Sequence, residues 1–253
     1  MIKLFRKIRH NLVSEGKTKR YLKYALGEIV LVVIGILIAL SINNWNEHRK
    51  NILEETVILN NLIEDLKADI KGYNESIAWL ESRKAHVNSL LMFLKNPNLP
   101  INDAELIHWL ITSGYILDYT PVFPTYAEIT GAGKLTLIES EKIKKDLSHY
   151  KSNFDNDVRV FTSYDEGIKK IEFKALSIIS GSPKGQFFGD DYLSLNKGLT
   201  VNRERLLKDE ELLALLKHNA YHTQVEINLK SLEYIPMADS LIEIIKNELI
   251  RLK

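Results

Sequence analysis

Three side chains on one stretch of this sequence have the types and spacing for metal chemistry. His218, His222 and Glu226 recur at i, i+4 and i+8. On a helix this puts two imidazoles and a carboxylate on one face, and such groups suit zinc or copper. The helical rise sets a limit. Residues eight apart are separated by about 12 Å along the axis, so one ion cannot take ligands from both ends. His218 with His222 is the feasible pair, and a metal there needs further ligands from a neighbouring helix. No His-Glu-x-x-His motif accompanies them. The preferred reading is therefore polar residues at a helix edge, and a metal-dependent hydrolase on this pair is the least favoured function.

Gly131-Ala-Gly-Lys134 has the look of a phosphate loop but fails its pattern. Glu128 stands where the first Gly is needed, and Leu135 stands where Ser or Thr must follow the Lys. A glycine-permitted helix end is expected there. With no Cys, thiolate nucleophiles, disulfides and Cys-ligated zinc are excluded. No catalytic residue and no cofactor is expected, and the chain is read as a non-enzyme. A cluster of loop aromatics, with Tyr126, Phe187 and Tyr192 foremost, could line a ligand pocket at a bundle end. Capping of the core is the commoner use of such side chains.

The elements that would position these groups begin with a membrane helix. Ile29 to Leu40 is apolar at every position. Leu22 to Trp45 supplies 24 mostly apolar residues, with Tyr24 near one end and Trp45 at the other. A span needs roughly 20, with aromatics at its interfaces. Glu28 falls about one turn inside one edge, where it can snorkel or meet a partner helix. Ala39-Leu-Ser41 resembles a signal cleavage site. The long basic leader, and the helical pattern that resumes after Trp45, favour a retained anchor. Gly27, Leu31, Gly35 and Ala39 run every four residues. Gly35 and Ala39 form a small-xxx-small pair that permits close helix contact, as in a homodimer or with another envelope protein.

The charge distribution fits that anchor. The formal net charge is +1, from 34 Lys and Arg against 33 Asp and Glu. Residues 1–24 hold eight basic side chains against one acid, giving +7; the remainder holds 26 against 32, giving −6. By the positive-inside rule the N-terminus is cytoplasmic and the C-terminal domain lies across the membrane. The basic residues are thus expected at a membrane surface, and nucleic acid is not an expected partner. Ile2, Phe5, Ile8 and Leu12 also give the stub an amphipathic face suited to an anionic leaflet.

The run Gly27-Glu-Ile-Val-Leu-Val-Val-Ile-Gly-Ile-Leu-Ile-Ala-Leu-Ser-Ile-Asn-Asn-Trp-Asn-Glu47, followed by Arg49-Lys50, resembles a known signature. It is similar to that of an uncharacterised family of small single-pass membrane proteins of Gram-negative bacteria. Phe5-Arg-Lys-Ile-Arg9, Lys23 to Gly27 and Thr125 to Leu135 fit the same pattern. Ser41 departs from it, where Gln is expected. The resemblance implies an envelope location, the inner membrane with a periplasmic domain. It brings no activity and no functional residues.

Beyond the span the expected class is all-α: the membrane helix continues into a long helix, followed by an antiparallel helical bundle. Apolar residues keep a 3-4 spacing through Ile52, Leu59, Ile63, Leu66, Ile70, Tyr73, Ile77, Leu80, Val87, Leu91 and Leu94, with Thr56 and Lys84 as the polar members. This predicts one helix with a narrow, coiled-coil-like seam, about 75 Å long from Trp45 to Lys95. Asn96-Pro97 ends it. Asn102 with Glu105 forms a capping box for a helix to about Leu117. A short helix around Tyr126 to Thr130 follows. Thr136 with Glu139 is read as the cap of a helix running to about Ser180. Residues 203–252 are helical in two or three pieces, bent near Pro236. The expected domains are a basic stub (1–21), a membrane helix (22–45) and an extracytoplasmic bundle (46–253).

The functional expectation is a membrane-anchored interaction or scaffold protein of the bacterial envelope. A ligand-sensing accessory, whose output lies on a partner chain, is the alternative.

Overall fold

The computed structural model describes residues 18–116, 119–181 and 198–252, with side chains at 18–21, 24, 157–163 and 165 left aside. Most of the basic stub, Phe187 and Tyr192 therefore lie outside the described residues. The fold is all-α. Among the described residues 86% are helical, in seven α-helices. The chain forms two compact units, Met1–Val57 and Ile58–Lys253.

Helix α1 runs from Thr18 to Lys95. Its portion in the first unit exposes every apolar residue from Ile29 to Leu40. It is long and apolar enough to cross a membrane: its most apolar 18-residue window has a mean hydropathy of 2.7, and none of that window is buried. A core helix of a soluble domain would bury such a stretch.

In the second unit, α1 is followed by α2 (Asp103–Gly114), α3 (Pro124–Gly131), a 3-10 turn (Lys134–Leu137) and α4 (Glu141–Ile178). Then come β1 (Ile179–Gly181), β2 (Leu199–Val201), α5 (Arg203–Lys208) and α6 (Glu210–Leu229). A π turn (Lys230–Tyr234) joins α6 to α7 (Ile235–Arg251). The two strands pair antiparallel, with Ile179 opposite Val201 and Gly181 opposite Leu199. Three residues per strand are too few for period-two alternation to register in the sequence.

Caps explain most of the helix starts. Asn102 Oδ1 accepts from Glu105 N–H at 2.9 Å, and Glu105 Oε2 accepts from Asn102 N–H at 3.1 Å, which is the expected capping box. Helix α2 ends at Gly114, earlier than predicted, because Tyr115 turns to extended backbone and packs edge-on against Trp79. The cap of α4 is Ser140, which accepts from Ile143 N–H. This corrects the Thr136–Glu139 reading. Thr136 lies inside the 3-10 turn, and Glu139 pairs with Arg251. Pro236 produces no break. The π turn gives Ile235 N–H an acceptor at Lys230 O, and the helix continues through the proline.

Two apolar cores sit at opposite ends of the second unit. The first joins Leu59–Tyr73 of α1, Ile129 of α3, Ile143–Phe154 of α4 and Tyr234–Ile245 of the π turn and α7. The other joins Val87–Phe93 of α1, Leu106–Leu110 of α2, Ile171–Ile178 of α4 and Leu206–Leu216 of α5 and α6. Helices α1 and α4 thus run from the first core to the second, while α2 and α6–α7 run back. This is the predicted antiparallel bundle.

The buried line of α1 is Leu59, Leu62, Leu66, Asp69, Tyr73, Ser76, Leu80, Arg83, Val87 and Leu90. Its spacing alternates strictly between three and four. The heptad period predicted from sequence is present, but it passes through Asp69, Ser76 and Arg83. Ile70, Ile77 and Lys84, chosen as seam members for their apolar stems or position, are only half-buried beside it.

Candidate functional site

Among the described residues of the second unit, the interior polar groups gather mainly in two places, and α1 supplies the centre of each. In the first core Asp69 is buried beneath three tyrosines. Tyr119 Oη donates to Asp69 Oδ1 at 2.8 Å, and Tyr150 Oη donates to Asp69 Oδ2 at 3.1 Å. The Tyr73 and Tyr150 hydroxyls lie 3.5 Å apart. Burial raises the Asp69 carboxyl to about 6; the two tyrosine hydrogen bonds oppose the rise, and the nearby Asp65 charge adds to it. Burial, with the tyrosines' own contacts to Asp69, also pushes the Tyr119 and Tyr150 phenols up.

This cluster holds the segment leading into α3. Asp65 Oδ2 accepts from Thr125 N–H at 2.9 Å. Phe123 sits at φ 49, a left-handed conformation uncommon for a non-glycine residue. The conformation drives its ring into the core, 5.2 Å from Tyr150 and 6.1 Å from Phe154. The Thr125–Leu135 signature is therefore pinned at its start by Asp65 of α1. At its other end Gly131 closes α3 and Gly133 takes φ 69, so Gly131 to Lys134 is a glycine-permitted helix end.

Between the two cores lies a polar layer. Arg83 is 2% exposed; its Nη2 donates to Thr223 Oγ1 at 2.9 Å and lies 3.5 Å from Glu226 Oε2. Lys230 Nζ donates to Glu226 Oε1 at 3.1 Å. Thr223 Oγ1 donates to Asn219 Oδ1 at 2.9 Å, and Asn219 Nδ2 donates to the Ser113 carbonyl at 2.8 Å. The Arg83 guanidinium also lies 4.9 Å from the Trp79 ring centroid. The layer ties α1, α2 and α6 together. Sliding α6 one turn along α1 would part Arg83 from Thr223 and Glu226, so the layer fixes the register of the bundle.

Two imidazole pairs flank it. His86 of α1 meets His108 of α2 edge-on at 4.5 Å. Burial, then the neighbouring His108, holds His86 below the ordinary imidazole range. His218 and His222 of α6 bring their Nε2 atoms to 3.0 Å. The Tyr164 ring stacks on His222 at 3.6 Å. Burial and the His218 neighbour lower His222 likewise. Glu226 is not with them, because it is held by Arg83 and Lys230. Among the described residues no group of three His, Asp or Glu is placed to hold a metal. Among the described residues, the hydrolase reading finds no third protein ligand there.

The remaining predicted positions are spread out. Tyr126 packs against the first core as a half-buried side chain. The groove between α1 and α7 is lined by Lys67, Ile70, Asp239, Ile242, Glu243 and Lys246. Gly27, Gly35 and Ala39 are exposed, and a Cβ added at Gly27 or Gly35 would meet nothing within 4 Å. Asp69 and Arg83 were missed as candidates because each stands alone in an otherwise apolar series. Their heptad spacing from Leu62, through Ser76, to Leu90 was the signal available.

No curated protein and no solved structure matches the chain. A family profile does match, over residues 28–202, from the membrane-type segment through the pinned signature to the β ribbon. The chain belongs to DUF6090, a family of unknown function.

Proposed function

We propose that the protein is a non-enzymatic, single-pass membrane protein whose helical bundle serves interaction or scaffolding in a bacterial envelope. The observation that carries this reading is the exposed apolar window of α1, with a mean hydropathy of 2.7 and no buried residue. Exposing that much apolar surface to water would cost about 25 cal/mol per Å². Lipid removes the cost. On this reading Leu22–Trp45 spans the inner membrane, the seven basic residues before it stay in the cytoplasm, and residues 46–253 face the periplasm. The acids, the buried bases and Tyr150 are engaged with one another in the bundle, which supports a structural use of these groups.

The test is a periplasm-active reporter fused after Lys253, combined with carbonate extraction of membranes. The fusion should be active, and the protein should stay in the pellet. An inactive periplasmic reporter, or release by carbonate, would overturn the anchor and its orientation. The reading also gives Gly35 and Ala39 a helix-contact role in a homodimer or with another envelope protein. Crosslinking in mild detergent should then detect a complex that Gly35→Ile weakens. A complex indifferent to Gly35→Ile would sink the small-residue contact.

A further inference from the structure

We propose that His218 and His222 form a two-ligand chelate for a late first-row divalent cation, bound most tightly as copper(II). The argument starts from the backbone. Residues four apart on α6 project side by side, and here the rings converge through the same atom, with Nε2 to Nε2 at 3.0 Å. Two imidazole nitrogens bound to one ion at about 2.0–2.1 Å, with an angle between square and tetrahedral, lie about 2.9–3.3 Å apart. The pair already stands at ligand separation.

The surroundings keep it there. Tyr164 of α4 stacks on His222 with an interplanar angle of 28° and meets His218 edge-on at 5.9 Å. Tyr221 meets His222 edge-on at 5.1 Å. His222 Nδ1 is buried and has no hydrogen-bond partner among the described residues. The directed polar chemistry of that ring is thus at Nε2. His218 is exposed, so an ion can enter and retain water on its open positions. Without metal, one ring can donate its Nε2–H to the Nε2 lone pair of the other. A cation between them takes both Nε2 lone pairs, and each neutral ring then carries its proton at Nδ1. Two neutral nitrogen ligands and open positions favour copper(II) over nickel(II) and zinc(II) by the Irving–Williams order. This is a binding site, with no hydrolytic step assigned to it. It does not depend on the membrane reading.

The experiment uses the full chain in mild detergent, titrated with Cu²⁺ alone and read by calorimetry and electron paramagnetic resonance. One saturable site is expected, with coupling to two imidazole nitrogens. His218→Ala and His222→Ala should each weaken it about 10²-fold, the order expected when two-point attachment becomes one-point. His149→Ala, at another exposed histidine, should bind as the parent does. Unchanged helical circular dichroism in the variants keeps a folding defect apart from a ligand loss. The proposal is overturned if either single variant keeps the parent affinity, if the spectrum shows one nitrogen, or if no saturable site is found.

Discussion

The Tyr119 ring occupies the space that a side chain at position 72 would need: a Cβ on Gly72 would lie 2.2 Å from Tyr119 Cε2. Gly72 is therefore in the middle of α1 as a seat for that ring, whose hydroxyl reaches Asp69. Replacing it with Ala gains about 1 kcal/mol of helix propensity. Overpacking of about 1–3 kcal/mol outweighs the gain, and the displaced ring loosens its bond to Asp69. Gly72→Ala should lower the unfolding midpoint. In a Tyr119→Ala background the same change should turn stabilising. If it destabilises equally in both backgrounds, the seat is not the reason for the glycine.

Asp69 makes stability depend on pH with a definite sign. Its folded value of about 6 exceeds the unfolded value of 3.8, so the native state holds the proton more tightly. The contribution to stability is fully present below about pH 4 and is lost as pH rises through about 6. Asp69→Asn should flatten that part of the profile, seen as denaturant midpoints between pH 4.5 and 7.5 (roughly the window of the shift). Parallel profiles for the two proteins would show that Asp69 is not the titrating group. Asp69→Leu should cost about 1–3 kcal/mol, because the Tyr119 and Tyr150 hydroxyls lose a common acceptor.

Removing one member of the buried ion network should cost more than removing all of it. Arg83→Ala strips Glu226 of one of its two cations and leaves a cavity under Trp79. A loss of about 3–5 kcal/mol is expected. The triple change Arg83→Met, Glu226→Leu and Lys230→Met should recover much of that, since no charge is left buried. Chemical unfolding of the three proteins side by side decides it. A triple variant weaker than Arg83→Ala would mean that the ions stabilise the fold outright.

Gly114 marks a close approach of α2 to α4. A Cβ there would lie 2.7 Å from Glu172 N and 2.8 Å from its Cα, both backbone atoms of a long helix. A flexible side chain could move aside, but this backbone cannot without shifting α4. Gly114→Ala should therefore lower the thermal midpoint by several degrees, at roughly 2–4 °C per kcal/mol for a domain of this size. An unchanged midpoint would show that the helices separate freely.

The sequence disclosed the elements better than their buried faces. Length, capping at Asn102, the break after Lys95 and the heptad period of α1 were readable because each depends on local chemistry. Asp69 and Arg83 were not readable. Burial of a charge is settled by partners distant in the chain, here Tyr119 and Tyr150 for one, Thr223 and Glu226 for the other. The Thr136 cap failed for a similar reason: two side chains three apart satisfied the pattern, while Ser140 had the backbone geometry. His218 and His222 were identified by spacing alone. That their nitrogens converge, and that Glu226 turns away, follows from Arg83 and Tyr164 on other helices.

The π turn at Lys230–Tyr234 acts as a phase shifter. An α-helix advances about 100° per residue, so one additional residue in a turn rotates everything after it by about that angle. Before the turn, α6 directs Asn219 and Thr223 to the polar layer. After it, α7 directs Ala238, Leu241, Ile242 and Ile245 into the first core. One helical rod thereby serves two interiors of opposite character. Wound as plain α-helix, the same residues would turn the α7 stripe by about 100° and away from its core. Deleting one residue between Lys230 and Tyr234 would instead let the turn close as ordinary α-helix with the α7 stripe still on its core, so the wide turn is where the rod takes up one additional residue.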